Sequence, residues 1–149
     1  MKIIDLFSGC GGLSLGFEMA KFKTVLAVEI DKWASETYSY NHPKIQLYTQ
    51  DIRRIKDPLS LLPVKKIDGI IGGPPCQGFS LSGDRDVKDP RNSLFVEFVR
   101  FVKIIKPKFF IMENVPGIMS MKTKKGEKVI SIIRKKFEKN NYKLIKIIF

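Results

Sequence analysis

Short apolar runs of four to six residues recur along the chain: Lys2 to Phe7, Thr24 to Val28, Ile45 to Tyr48, Ile67 to Ile71, Phe109 to Met112 and Leu144 to Phe149. Each is too short for a helix and rich in isoleucine, valine, leucine or phenylalanine, so each reads as a strand. The stretches between several of them have helical length. Lys32 to Tyr40 is one, stopped by Asn41-His42-Pro43, and Leu94 to Ile105 is another, with a wide apolar face and Asn92-Ser93 able to cap it. A third begins at Gly126 or Glu127, keeps Val129, Ile130, Ile133 and Phe137 on one face, and stops near Asn140. Strand and helix alternating in this way predict an α/β fold built on a doubly wound, mostly parallel sheet.

One segment is ambiguous by pattern. Leu13, Leu15, Phe17 and Met19 alternate as a strand would, with Gly16 inside. Their place directly after the glycine-rich Ser8-Gly9-Cys10-Gly11-Gly12 turn favours a helix.

A parallel sheet concentrates chemistry at the carboxyl ends of its strands. Gly9, Glu29, Asp51, Cys76 and Glu113 all follow predicted strand ends, so five separate segments are expected to build one cleft. Cys76 lies in Gly72-Gly73-Pro74-Pro75-Cys76-Gln77-Gly78-Phe79-Ser80, where two glycines permit a sharp turn and two prolines stiffen it. A cysteine taken at random is most often a small buried side chain. A rigid loop just past a strand suits a nucleophile instead. The polar stretch from Ser80 to Arg91 reads as a loop able to close over a ligand.

The glycine turn followed 20 residues later by Glu29 has the logic of a nucleoside site, with backbone near the ligand and an acid for ribose hydroxyls. Gly9-Cys10-Gly11-Gly12 is not the G-x-G-x-x-G of a pyrophosphate cradle, so a ligand with ribose but no phosphates fits better. S-adenosylmethionine is such a ligand, and its sulfonium suits acids such as Asp5 or Asp51. Glu113 adds a carboxyl beside the cysteine loop. A pyrimidine C5 is a poor nucleophile until a thiolate adds at C6, and a carboxyl at N3 stabilises the charge that then develops. Cys76 and Glu113 together therefore suit carbon methylation of a pyrimidine.

Composition bounds the setting. The 149 residues amount to one domain. Two cysteines without C-x-x-C spacing and a single histidine, His42, argue against a disulfide framework or a zinc site. No apolar run nears the roughly 20 residues of a membrane span, and Asp5 comes too early for a signal peptide, so a soluble, cytoplasmic, metal-free protein is expected. Nearly all of the net charge of +12 comes from residues 100–149, which hold 14 of the 27 Lys/Arg but 3 of the 15 Asp/Glu. Such a surplus suits a polyanion, and equally a solvated lysine face.

The motifs resemble, in order, those of the DNA (cytosine-5) methyltransferases, especially the bacterial restriction-modification type. Asp5-Leu6-Phe7-Ser8-Gly9-Cys10-Gly11-Gly12 is similar to the first motif of that family, Glu29 to its ribose-binding acid and Asp51-Ile52 to the residues beside adenine. Gly73 to Ser80 resembles the nucleophile motif, Arg91-Asn92-Ser93-Leu94-Phe95 the next, and Glu113-Asn114-Val115 the base-binding motif. The resemblance implies a Rossmann-like S-adenosylmethionine-dependent methyltransferase domain, with Phe7, Gly9, Gly11, Glu29, Ile30, Asp51, Ile52 and Leu94 holding the cofactor. It further implies that Cys76 attacks C6 of a cytosine flipped from duplex DNA while Glu113 holds N3 and the amino group, since the base is unreachable inside the stack. Pro75, Ser80, Ser82, Arg91 and Asn114 are then the substrate-side residues.

Family members continue with a Gln-x-Arg-x-Arg motif, a target-recognition domain and a closing segment, none of which occurs here. Residues 1–149 are thus expected to form a partial catalytic domain, weak or inactive alone, that leaves a sheet edge open to a complementary chain. Two alternatives share these residues: an RNA (tRNA) cytosine-5 methyltransferase, and a non-catalytic nucleotide- or DNA-binding fragment.

Overall fold

The computed structural model describes residues 1–75, 94–123 and 126–147. Cys76, Ser80, Ser82 and Arg91 lie outside the described residues. The chain divides into two compact units, one of Met1–Pro74 with Arg100–Glu113, the other of Pro75–Val99 with Asn114–Phe149.

The first unit is a parallel sheet. β1 (Lys2–Leu6), β2 (Lys23–Glu29), β3 (Gln46–Thr49), β4 (Gly69–Gly72) and β5 (Phe109–Met112) stand in the order β3-β2-β1-β4-β5. Every neighbouring pair is parallel. The strand order reverses between β1 and β4, and at such a switch point the loops leaving two neighbouring strands diverge and open a crevice. The expected doubly wound α/β architecture is therefore present.

Central strands of a parallel sheet are covered on both faces, which explains why β1 and β4 are almost wholly apolar. Ile3, Ile4, Leu6, Leu26, Ala27, Ile70 and Ile71 are all fully buried. Asp5 is the exception, a carboxylate at 0% exposure in the middle strand, paired in register with Ala27 and Ile71. At the opposite, amino edge, Asp68 accepts the Lys2 N–H at 2.9 Å and the Lys108 ammonium at 2.8 Å, joining the entries of β1, β4 and β5. These partners hold its carboxyl down at about 2, the lysine contributing most.

Gly12–Met19 forms helix α1, settling the ambiguous segment. Its alternation was misleading because the helix does not bury its leucines: Leu15 and Met19 are exposed, and the buried residue is Ser14. Helix α2 (Lys32–Asn41) is capped by Asp31, whose side chain accepts the Ala34 N–H at 2.8 Å, and it packs against β2 and β3. Pro58 opens a short 3-10 turn, Pro58–Leu61, as its missing N–H allows.

Helix α3 (Leu94–Ile105) contributes residues to both units. In the first unit, the Arg100 guanidinium donates to the Ile52 carbonyl at 3.1 Å. In the second, Phe98 meets Phe137 edge to face at 6.3 Å between ring centres. Helix α4 (Val129–Glu138) buries Val129, Ile133 and Phe137, while Arg134, Lys135 and Lys139 are exposed. It begins two or three residues later than the sequence pattern suggests, because Gly126 turns the chain at φ +80° and Lys122 bridges Lys128 ahead of it.

The expected sixth strand is not formed over its described part. Residues 144–147 have no regular structure, and Ile145 and Ile147 are 81% and 68% exposed. A strand exists only through its ladder, and no described strand pairs with this segment. Among the described residues no helix is long and apolar enough to cross a membrane.

Candidate active site

Residues following β1, β4 and β5 meet at the carboxyl edge of the first unit. A cleft of about 440 Å³ is lined by Asp5, Phe7, Ser8, Gly12, Leu13, Gly73 and Glu113. That volume falls within the range of small-molecule sites, about 300–1,000 Å³.

The turn after β1 depends on left-handed backbone. Phe7, Gly9 and Gly11 have φ of 60°, 54° and 93°. Gly11 has a second reason to lack a side chain, because a Cβ there would run into the His42 ring. Glu29 ties this turn to the end of β2. One of its carboxylate oxygens accepts the Gly9 N–H at 2.8 Å, and the other accepts the N–H groups of Ile30 and Asp31 at 2.8 and 2.9 Å. The oxygen that accepts from Ile30 and Asp31 has both lone pairs engaged, but the one that accepts from Gly9 keeps a second, so the carboxylate can orient the turn and still receive a hydroxyl donor. Ile30, the next residue, is 61% exposed.

Asp5 forms the floor. Its Oδ2 accepts the Ser14 hydroxyl at 2.7 Å, while Oδ1 is buried with no partner; the Ser8 hydroxyl, also on the lining, is buried and unpartnered too. Burial pushes the Asp5 carboxyl up to about 7, with the nearby Glu29 charge adding to the rise against the Ser14 hydrogen bonds. Orphaned buried acceptors carry a desolvation cost, so their presence on a cleft wall marks where a donor or cation would be received.

Asp51 differs from Asp5. It caps a 3-10 turn, Ile52–Arg54, by accepting the Arg53 N–H at 2.9 Å, and the Arg53 guanidinium grips both its oxygens. The Arg53 hydrogen bond holds its carboxyl below the ordinary aspartate value. Of the two acids considered for a sulfonium, Asp5 is on the cleft and Asp51 is committed to Arg53. Ile52 is 3% exposed.

Glu113 reaches the cleft from the end of β5. Its N–H donates to the Gly72 carbonyl at 3.0 Å, extending the β4–β5 ladder by one residue. A Cβ on Gly73 would stand 3.0 Å from Glu113 Oε2, so glycine at 73 leaves room for the carboxylate at the root of the loop that leads to Cys76. Pro75, Leu94 and Asn114 belong to the second unit, where the Asn114 side chain accepts the Val115 N–H at 3.0 Å. Among the described residues no cluster of three metal-ligating side chains occurs.

Sequence reasoning missed the supports of this site: Ser14, Tyr38 and His42. The Tyr38 hydroxyl lies 2.9 Å from Ser14 Oγ, and the His42 Nε2 is 3.2 Å from the Gly11 carbonyl. The available signal was the composition of α2, Lys-Trp-Ala-Ser-Glu-Thr-Tyr-Ser-Tyr-Asn, a helix with almost no aliphatic face and therefore one that buries polar groups.

The profile of the C-5 cytosine-specific DNA methylase family matches residues 1–149. The chain is 60% identical to the type II methyltransferase M.DdeI of Desulfomicrobium norvegicum, covering 99% of itself and 36% of that protein. It is 48% identical to M.FnuDI of Fusobacterium nucleatum, covering 95% and 39%. Among solved structures, a prophage-encoded putative DNA modification methyltransferase of E. coli superposes with a TM-score of 0.71 at 40% identity, over 93% of this chain and 38% of that one. The Spodoptera frugiperda DNMT2 structure gives 0.69 at 27%, over 94% and 41%. The chain thus spans little more than a third of the length of these relatives. With its profile matched from end to end, its motifs in order and its sheet superposed, the chain belongs to the C-5 cytosine-specific DNA methylase family.

Proposed function

We propose that this chain supplies the cofactor cleft and the nucleophile of an enzyme that methylates C5 of cytosine in DNA within a restriction-modification system. The observation that carries the reading is the meeting, in one cleft, of an orphaned buried carboxylate, Asp5, and an open carboxylate, Glu113, at the root of the cysteine loop.

S-adenosylmethionine fits the residues present. Asp5 Oδ1 and Ser8 Oγ are acceptors without partners on the lining, suited to the cationic methionine end, and Glu29 has capacity left for a ribose hydroxyl. Phe7, Gly9, Gly11, Ile30, Asp51, Ile52 and Leu94 are the further cofactor residues of this proposal. When bound, the cofactor supplies an electrophilic methyl group on a sulfonium.

Cys76 then acts as nucleophile. Its thiolate adds to cytosine C6, forming the C6–S bond and moving the double-bond electrons toward C5, while Glu113 at N3 stabilises the developing charge. C5 takes the methyl group, loses its proton to a base, and the C5–C6 double bond reforms as the C6–S bond breaks. A thiol of ordinary pKa, about 8.5, is only a few per cent ionised at neutral pH, so Cys76 needs local assistance to ionise. Pro75, Ser80, Ser82, Arg91 and Asn114 hold the extruded nucleotide and its phosphates. Selection of the target sequence belongs to a segment outside residues 1–149, on a longer protein or a complementary chain.

The test is adduct formation. In duplex DNA carrying 5-fluorocytosine, C5 bears fluorine in place of the proton that must be lost, so elimination is blocked after methylation and the C6–S bond should persist and be located on Cys76 by mass spectrometry. The purified chain is incubated with S-adenosylmethionine and this DNA, alone and with the carboxyl-terminal part of M.DdeI supplied separately. An adduct in the second arm, absent in Cys76→Ser, is expected. A parallel pair of arms uses transfer RNA carrying 5-fluorocytosine: no adduct in any arm would remove the catalytic reading in favour of a binding fragment, and an adduct only with transfer RNA would move the substrate to RNA.

A further inference from the structure

The glycine turn that lines the cleft has little of its own to hold it. Within Ser8 to Gly12 the internal tie is the Gly11 N–H to the Ser8 carbonyl at 3.0 Å, and glycine is the residue whose backbone most needs outside restraint. Two outside ties come from β2, the Ser8 N–H to the Val28 carbonyl at 3.2 Å and the Gly9 N–H to Glu29. A third comes from α1, whose Leu15 N–H donates to the Gly11 carbonyl at 2.9 Å, and a fourth from His42, the C-cap residue of α2. Because a carbonyl can only accept, the His42 Nε2 hydrogen is what reaches the second lone pair of the Gly11 oxygen, at 3.2 Å. His42 itself is 6% exposed, and Glu18 Oε2 lies 3.4 Å from its Nδ1.

One turn earlier on the same helix, Tyr38 is fully buried, its ring tilted against that of His42 at 4.6 Å. Its hydroxyl continues to Ser14 and Asp5 in a chain with a fixed direction. Ser14 donates its single hydroxyl hydrogen to Asp5 Oδ2, so with Asp5 ionised the Tyr38 hydroxyl is the donor to Ser14. Oδ2 is thereby occupied and Oδ1 is the oxygen left over.

We propose that Tyr38, on α2, and His42, its C-cap residue one turn further on, are positioning residues of the cofactor cleft. His42, together with the Leu15 N–H on the same carbonyl, sets the plane of the Gly11–Gly12 peptide, and through peptide planarity the direction of the Gly12 N–H. Tyr38, through Ser14, sets which oxygen of Asp5 faces the ligand. The proposal rests on the reading of this cleft as the S-adenosylmethionine site, but its first test needs no cofactor.

Amide hydrogen exchange is measured on the full chain and on His42→Phe, His42→Gln and Tyr38→Phe. Phenylalanine fills the imidazole space without a donor, whereas glutamine returns an N–H at a similar reach. In His42→Phe the Ser8–Leu13 segment should exchange about tenfold faster while β4 is unchanged, as expected for one lost hydrogen bond, and glutamine should restore most of the protection. Should His42→Phe not fold, Tyr38→Phe keeps the ring and removes only the hydroxyl, and should speed exchange over Gly12–Leu15 about threefold. Titration with S-adenosylmethionine follows, with Kd expected to weaken about tenfold in His42→Phe and to recover in His42→Gln. Unchanged exchange in the turn, or equal acceleration in β4, would overturn the proposal. Selective acceleration in a wild-type chain that binds no S-adenosylmethionine would support the positioning role and refute the cofactor reading instead.

Discussion

Replacing Asp5 by asparagine should stabilise the protein at alkaline pH and abolish cofactor binding. The carboxyl is fully buried and pushed from 3.8 to about 7, chiefly by desolvation. A carboxyl whose folded value lies above its unfolded value binds more protons in the folded state. Stability therefore falls as pH rises from about 4 to about 7 and levels off beyond. The rise amounts to roughly 4 kcal/mol lost above neutrality at 1.36 kcal/mol per unit. Asparagine escapes that loss and can still accept from Ser14, but it leaves a buried N–H2 where Oδ1 was, costing about 1–3 kcal/mol. The net gain at pH 8 should be about 1–3 kcal/mol. The difference between pH 5 and pH 8 is more decisive, because the asparagine cost cancels: the variant should gain about 3 kcal/mol on wild type across that interval. Urea denaturation of both chains at half-unit pH steps measures it. A difference that stays constant with pH would refute the account of Asp5 as an acid held against its solvation.

Other perturbations act on the same frame. Glu29→Ala removes the acceptor of three backbone N–H groups, so urea unfolding should show a loss of about 2 kcal/mol and titration no cofactor binding. Gly73→Ala sets a methyl 3.0 Å from Glu113 Oε2, and should abolish the fluorocytosine adduct while moving the urea midpoint little. Asp68, held at about 2 by Lys108 and the Lys2 N–H, contributes stability that is present above pH 4 and lost as pH falls toward 2. Asp68→Asn should accordingly lower the urea midpoint at pH 7, and the two midpoints should converge in acid.

The strands that build the cleft were legible because a central parallel strand is buried on both faces and so must be a continuous apolar run. Ile3-Ile4 and Ile70-Ile71 announce themselves in that way, and the residues just past them inherit a location. Leu144 to Phe149 has the same composition, yet composition cannot supply the neighbouring strand a ladder requires. The alternation in α1 failed for a related reason: Leu15 and Met19 are exposed there and Ser14 is the residue that is buried. Apolar pattern finds faces that pack on carbon. It is blind to a helix such as α2, whose buried Tyr38 and C-cap residue His42 face inward with their hydrogen-bonding atoms in use.

The spacing between the proposed nucleophile loop and Glu113, the proposed base-binding acid, has a simpler origin than either motif. Gly72 pairs with Met112 in the β4–β5 ladder, and the next residues along are Gly73 and Glu113. Adjacent strands stand about 4.8 Å apart, so register alone sets the acid beside the root of the loop before any side chain is considered. A slip of one residue would carry Glu113 past Gly73 and turn every side chain of β5 to the opposite face. Such a slip is opposed at the start of the ladder, where Gly69 pairs with Phe109 and its missing side chain makes the room that the Phe109 ring occupies. A glycine at the amino end of β4 therefore helps to fix the spacing that the proposed chemistry requires at the other end, and Gly69→Ala, whose methyl would meet that ring, should weaken adduct formation through register even though residue 69 never reaches the cleft.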